Sequence, residues 1–197
     1  MNSPSHSSRI ILASSSPRRI ELLRSLGLKF EIVASEIEEK QESETSIAEL
    51  VEHNALAKAR DVSKKIETGL IIGADTVVVC EGEIYGKPAD LEDARRMLRT
   101  LAGKPHQVYS GVAVVRAEDG KYRTAHAVTD VTFRLLSEEQ IARYLKMIDS
   151  LDKAGAYAIQ GAGGIIIEKI CGCYYNVVGL PLNTLDKLLG FFGVQLL

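Results

Sequence analysis

Cysteine is scarce in this sequence. Three residues in 197, an odd number in a chain of this length, do not make a disulfide framework. An excess of charge of one sign is lacking too: Lys and Arg total 24 against 26 Asp and Glu, a formal net charge of −2. That balance excludes the basic surplus that general nucleic-acid or membrane-surface binders need. No apolar run approaches the ~18–20 residues of a membrane span. Met1 to Ser8 is polar and has no apolar core, so a secretory leader is not expected. This Ser-rich stretch reads as a disordered lead-in, followed by a single domain over residues 9–197. Internal repeats are absent. With 46% hydrophobic and 25% charged residues, the expectation is a globular protein of a reducing compartment, the cytoplasm.

Several motifs are missing as well. There is no G-x-x-x-x-G-K-[ST] phosphate loop and no G-x-S-x-G nucleophile elbow. Gly161-Ala162-Gly163-Gly164 lacks the third glycine of a dinucleotide fingerprint and leads toward a strand rather than a helix. Cys171-Gly172-Cys173 has one residue between its thiols and no second pair, which argues against structural zinc. His6, His53, His106 and His126 show no H-x-x-x-H spacing and read as solvated or structural.

What is present alternates between helix and strand. Ile10 to Ala13 reads as a short buried strand, and Phe30 to Ala34 as a second. Between them Ser16 and Pro17 open a helix whose Ile20, Leu23 and Leu26 share a face, with Gly27 as its stop. An acidic stretch, Glu36 to Glu44, precedes a long helix from Ile47 to Ile66. Leu70 to Cys80 is an almost wholly apolar strand. Asp90 caps a helix to Leu101 with Ala94, Met97, Leu98 and Leu101 inward. Gln107 to Arg116 and Tyr122 to Leu135 form a hairpin around Glu118-Asp119-Gly120. Ser137-x-x-Gln140 is a capping box for a helix to about Ile148. Strands at Gly164–Ile170 and Asn176–Gly179 and a helix from Pro181 complete the pattern. The hairpin forbids an all-parallel sheet, so the fold class is mixed α/β.

Some polar residues resist explanation by packing alone. Asp75 sits in Ile71-Ile72-Gly73-Ala74-Asp75-Thr76-Val77-Val78-Val79, where both faces read as buried. An unpaired carboxylate there costs several kcal/mol, so it meets a cation, a metal or the edge of a cleft. Lys58 falls in the middle of the apolar arc of the Ile47–Ile66 helix, and snorkelling is its alternative to an inward partner. Together the two point to a shared polar cleft. The Ser14–Arg19 turn offers free N–H groups at a helix start, and Arg18 and Arg19 stand where the dipole disfavours cations unless an anion is present. The plain alternative is a capped helix with solvated arginines. Lys87, in Gly86-Lys87-Pro88, either swings over the end of the Asp75 strand or is a solvated turn lysine. Glu38 and Glu39 either supply a hard oxygen ligand to a divalent cation or form a solvated acidic loop.

Ala13-Ser14-Ser15-Ser16-Pro17-Arg18-Arg19, Gly73-Ala74-Asp75-Thr76, Gly86-Lys87-Pro88, Asp152-Lys153-Ala154-Gly155-x-Tyr157 with Ile159-Gln160-Gly161, and Val178-Gly179-Leu180-Pro181-Leu182 resemble the Maf family, in family order over residues 13–182. These are nucleoside-triphosphate pyrophosphatases, long described as septum-formation inhibitors. The resemblance implies cleavage of a nucleotide to its monophosphate and pyrophosphate. It also implies an elongated mixed sheet with two lobes around a cleft, related to the inosine-triphosphate pyrophosphatase fold. By the same resemblance Asp75 is the catalytic proton acceptor, and Ser14, Arg19, Glu39, Lys58 and Lys87 line the cleft. Arg18, Thr76 and Gln160 go with preference for dTTP and UTP over 7-methyl-GTP. The physical reading agrees: Arg18, Arg19, Lys58 and Lys87 suit a triphosphate, and Glu39 with Asp75 suits a divalent metal, Mg or Mn. Gln160 both donates and accepts, as reading a uracil or thymine edge requires. The expected partner is the nucleotide, not nucleic acid or membrane, and a homodimer stays open. A regulator of cell division that binds nucleotide without turning it over is the competing class.

Overall fold

The computed structural model describes residues 9–40 and 46–197. The Ser-rich start and the end of the acidic stretch lie outside the described residues.

A seven-stranded sheet runs through the molecule. Its strands are β1 (Ile10–Leu12), β2 (Glu31–Ile32), β3 (Leu70–Cys80), β4 (Glu83–Tyr85), β5 (Pro105–Arg116), β6 (Tyr122–Phe133) and β7 (Ile167–Cys171). They run in the order β2-β1-β3-β5-β6-β7, with β4 also paired to β3. β1 is parallel to β2 and β3, and every other pairing is antiparallel, so the sheet is mixed as expected. The helices are α1 (Pro17–Ser25), α2 (Ile47–Ser63), α3 (Leu91–Leu101), α4 (Glu138–Leu145), α5 (Gly163–Ile166), α6 (Tyr174–Val178) and α7 (Leu182–Phe191). Asp90 caps α3 through the Asp93 N–H, and Ser137 with Gln140 forms the capping box of α4.

The alternation of β3 organises the cores. Leu70, Ile72 and Ala74 pack with Leu22 and Leu23 of α1 and Leu185, Leu188 and Leu189 of α7. Ile71 faces the other way, into Ala55, Ala59 and Val62 of α2. Farther along, Val78 and Cys80 return to the first face but join a different core, with Leu98 and Leu101 of α3 and Ile141 and Tyr144 of α4. Two lobes therefore meet near Thr76. On the opposite face α2 lies so close that only glycine fits beneath it. A Cβ on Gly73 would meet the Ala55 carbonyl oxygen at 2.1 Å, and one on Gly111 would meet that of Val51 at 2.2 Å.

The sheet also has a gap at this point. Strand β1 pairs with β3 from Leu70 to Ile72 and then turns away, and β4 takes up the same edge from Val78. The intervening edge of β3 is left to side chains from other elements.

Several local expectations are corrected. Asn176–Gly179 is not a strand: Tyr174–Val178 is helical, and Gly179 ends it at φ 113. The Asn176 amide donates to the Val108 carbonyl and to Thr129 Oγ1, which fixes that turn from inside the fold. Gly164–Ile170 splits into α5 and β7. The second strand shrinks to Glu31–Ile32, α2 ends at Ser63, α4 ends at Leu145, and β4 lies where only a turn is expected. Leu26 is 43% exposed instead of packed. Ser16 makes no side-chain cap; instead Ser14 Oγ accepts the Ser16 N–H at 3.2 Å. Its position two residues back lets Ser14 close the turn that Ser16 cannot reach.

Candidate active site

Nine of the residues singled out in the sequence, Ser14, Arg18, Arg19, Glu39, Lys58, Asp75, Thr76, Lys87 and Gln160, line one cleft of about 470 Å³. Adjacent residues of β3 serve its two sides. Asp75, like Ile71, points toward α2, and Thr76 points toward α1.

On the α2 side Lys58 reaches the free edge of β3. Its ammonium donates to Asp75 Oδ1 at 2.7 Å and to the Ala74 carbonyl at 3.3 Å, and it pairs with Glu39 Oε1 at 2.7 Å. The Lys58 and Asp75 side chains are 11% and 4% exposed, whereas Glu39 is 37% exposed. The second oxygen of Asp75 accepts from Asn54 Nδ2 at 3.0 Å. Lysine on the apolar arc is thus an inward ammonium between two carboxylates, and the snorkelling alternative falls away. Glu39 stands in the cleft; Glu38 is exposed and does not line it.

On the α1 side Arg19 binds the protein. It donates to the Gly179 carbonyl at 2.8 Å, the Ala74 carbonyl at 2.9 Å, Thr76 Oγ1 at 3.0 Å and Ser14 Oγ at 3.4 Å. Burial pushes the pKa of this guanidinium down, and the charges of Asp75 and Glu39 oppose the shift. Thr76 Oγ1 lies 2.9 Å from Ser110 Oγ, which donates to the Asn176 carbonyl. The Ala74 carbonyl, on the unpaired edge, accepts from both Arg19 and Lys58, so it joins the two sides.

Arg18 spans the cleft. It donates to Asp152 Oδ2 at 2.9 Å and to the Asp152 carbonyl at 3.2 Å. Burial would raise the Asp152 carboxyl, but hydrogen bonds and charge from Lys153 and Arg18 outweigh it and hold the group below its ordinary value. Lys87 is an exposed residue of the cleft wall, and Gln160 a half-buried one. Hydrogen bonding from the Gly155 N–H to the Gly86 carbonyl at 3.0 Å anchors the Lys87 loop to the opposite segment.

The donor set can be tested against a divalent metal. Among the described residues no group of three or more His, Cys, Asp and Glu side chains is placed to hold one. Glu39 and Asp75 nevertheless bring hard carboxylate oxygens to the same ammonium, and Mg²⁺ is commonly held by one or two carboxylates plus substrate phosphates and water. The residues fit an open site of that kind.

Asn54, Asp152 and Ser110 also belong to this network. In the sequence Asn54 carries a signal, a polar residue on the inward arc one turn before Lys58, and Asp152 has one in the family-like block around it; Ser110 has none.

The fold and the cleft define a mixed α/β protein with a polar cleft built on a buried carboxylate–ammonium pair. The chain belongs to the Maf family: the family described as Maf-like protein matches residues 9–192. It is 49% identical over 189 residues to a dTTP/UTP pyrophosphatase of Dictyoglomus thermophilum, covering 95% of this chain and 98% of that one. A dTTP/UTP pyrophosphatase of Moorella thermoacetica is 50% identical over 188 residues, with 95% and 97% covered. Among solved structures, the Staphylococcus aureus Ham1 protein aligns with a TM-score of 0.45 at 14% identity, over 64% of this chain and 71% of that one. A nucleoside-triphosphatase, dITP/XTP pyrophosphatase, of Mycobacterium abscessus aligns with a TM-score of 0.41 at 21% identity, over 64% and 74%.

Proposed function

We propose that this protein hydrolyses dTTP and UTP to the monophosphate and pyrophosphate. The observation that carries the reading is the convergence of Asp75, Glu39 and Lys58 with Arg18, Arg19 and Lys87 on one cleft. Near-full-length relatives named dTTP/UTP pyrophosphatase support it.

Water adds across the anhydride bond between the α- and β-phosphates, and pyrophosphate leaves. Asp75 orients that water and takes its proton. Its carboxylate is held ready by Lys58 and Asn54, so little reorganisation accompanies proton transfer. Arg18 and Lys87 face the triphosphate, while Arg19 and Lys58 contribute positive potential from positions fixed by protein partners. Glu39 and Asp75 would hold a divalent cation, Mg or Mn, which would supply neutralisation of phosphate charge. Ser14 shapes the phosphate end through its bonds to the turn and to Arg19. Arg18, Thr76 and Gln160 set the preference for the pyrimidine ring, Gln160 by donating to and accepting from its edge. The protein works in the cytoplasm as a soluble enzyme.

The test is pyrophosphate release from dTTP, UTP, CTP, GTP and 7-methyl-GTP with Mg²⁺ or Mn²⁺, with EDTA as control. Metal-dependent release from dTTP and UTP is expected. In Asp75→Asn the turnover should fall by roughly 10²–10⁴-fold, the contribution of a general base, while nucleotide binding persists. Release confined to 7-methyl-GTP would overturn the assignment of Arg18, Thr76 and Gln160. Binding without release in wild type would favour the regulator.

A further inference from the structure

We propose that Asn54 is a positioning residue for this reaction, one that fixes Asp75 and the Glu39 loop relative to each other; the proposal rests on the pyrophosphatase reading. Asn54 is 2% exposed, and both polar atoms of its side chain are engaged. Nδ2 donates to Asp75 Oδ2 at 3.0 Å and to the Lys40 carbonyl at 2.9 Å, and Oδ1 accepts from the Lys40 N–H at 3.0 Å. The pair of hydrogen bonds with Lys40 imitates the exchange between paired strand residues, and it holds the backbone immediately after Glu39.

Asn54 and Lys58 stand four residues apart on one face of α2. They divide Asp75 between them: the amide holds Oδ2 and the ammonium holds Oδ1. Lys58 also takes Glu39. The two carboxylates are thereby referenced to a single helix, directly through Lys58 and through Asn54 on each side. A loop staple alone would need only the Lys40 bonds. The additional donor aimed at Asp75 is what a staple does not require and a group that orients a base does. Leucine in this place would fill the volume and strand Asp75 Oδ2 together with the Lys40 N–H and carbonyl.

The experiment pairs steady-state kinetics on dTTP with amide hydrogen exchange at Lys40, in wild type, Asn54→Leu and Asn54→Asp. In wild type the Lys40 amide should be protected. Asn54→Leu should lose that protection, and its kcat should fall about 10–100-fold, as when a group orienting a catalytic side chain is removed. KM should move by less than about threefold, because the bonds lost do not touch the nucleotide. Asn54→Asp keeps an acceptor for the Lys40 N–H but faces Asp75 with a carboxylate. It should retain protection at Lys40 and still lose turnover, which separates orientation of Asp75 from stapling of the loop.

Wild-type release of pyrophosphate with unchanged kcat in folded Asn54→Leu overturns this proposal alone. So does a loss in KM instead of kcat. If neither variant folds, a Lys40 amide that exchanges in wild type as fast as an unbonded surface amide overturns it. Absence of release by wild type under every metal condition overturns the reading beneath it, whatever the exchange shows.

Discussion

Replacing Lys58 with methionine keeps the buried stem and deletes the ammonium. In the folded protein this strands Asp75, whose side chain is 4% exposed and whose other contact is the neutral Asn54 amide. Glu39, at 37% exposure, can turn to water, so most of the cost falls on Asp75. Breaking a buried pair by removing one partner costs about 3–5 kcal/mol. For a chain of this size each kcal/mol is worth about 2–4 °C, so the melting temperature should fall by roughly 6–20 °C. Denaturant unfolding of wild type, Lys58→Met, Asp75→Asn and the double variant closes a thermodynamic cycle. The double variant should be more stable than the sum of the single losses by about 1–3 kcal/mol, because asparagine leaves no charge to strand. If Glu39 and Asp75 hold a divalent cation as proposed, Mn²⁺ or Mg²⁺ should raise the melting temperature of Lys58→Met more than that of wild type, because the two carboxylates there no longer share an ammonium. A Lys58→Met protein within about 1 kcal/mol of wild type, or an additive cycle, would refute the account of Asp75 as a charge that depends on Lys58.

The seat of α2 can be tested from beneath. Gly111→Ala places a methyl 2.2 Å from the Val51 carbonyl oxygen, where backbone has to yield, and should cost about 1–3 kcal/mol or more in denaturant unfolding while lowering turnover through displaced Lys58. A stable and fully active Gly111→Ala would show that α2 has slack. His106 is buried against Phe133 and Tyr157, and burial pushes its pKa down to about 4 from 6.5. Because the folded value lies below the unfolded one, the native state refuses a proton that the unfolded chain accepts. This component is intact above pH 6.5 and is lost as pH falls toward 4, by about 3 kcal/mol in all. The pH dependence of unfolding in His106→Gln should lack it, and identical slopes in the two proteins over that range would count against a buried neutral imidazole.

Asp75 and Lys58 stand out in the sequence because each breaks a hydrophobic pattern with a full charge, and a buried charge needs a partner wherever the chain goes. Arg18 and Asp152 are 134 residues apart, and nothing local couples them. Asn54 lies on the same helical arc as Lys58, yet a neutral amide violates burial too weakly to announce itself. The strand expected at Asn176–Gly179 misleads for a related reason. Val177 and Val178 carry a strand preference, but only a weak one. The buried amide of Asn176, with its bonds to Val108 and Thr129, decides the backbone instead. The Asp90 and Ser137 caps are legible because their partners are three residues away.

The cleft itself follows from a feature that periodicity does not reveal, the partnering of one strand edge. β3 is long enough for β1 to occupy the start of one edge and β4 its end. Between them the Ala74 carbonyl has no strand to accept from, and a buried backbone acceptor must be satisfied. Arg19 and Lys58 satisfy it from opposite faces of the sheet. Positive charge is thus drawn to the break by the backbone before any anion is present. The same two side chains meet Thr76 on one face and Asp75 on the other. Two neighbouring residues on a strand point in opposite directions, so a site made from both exists only where the sheet opens and its two faces become one wall.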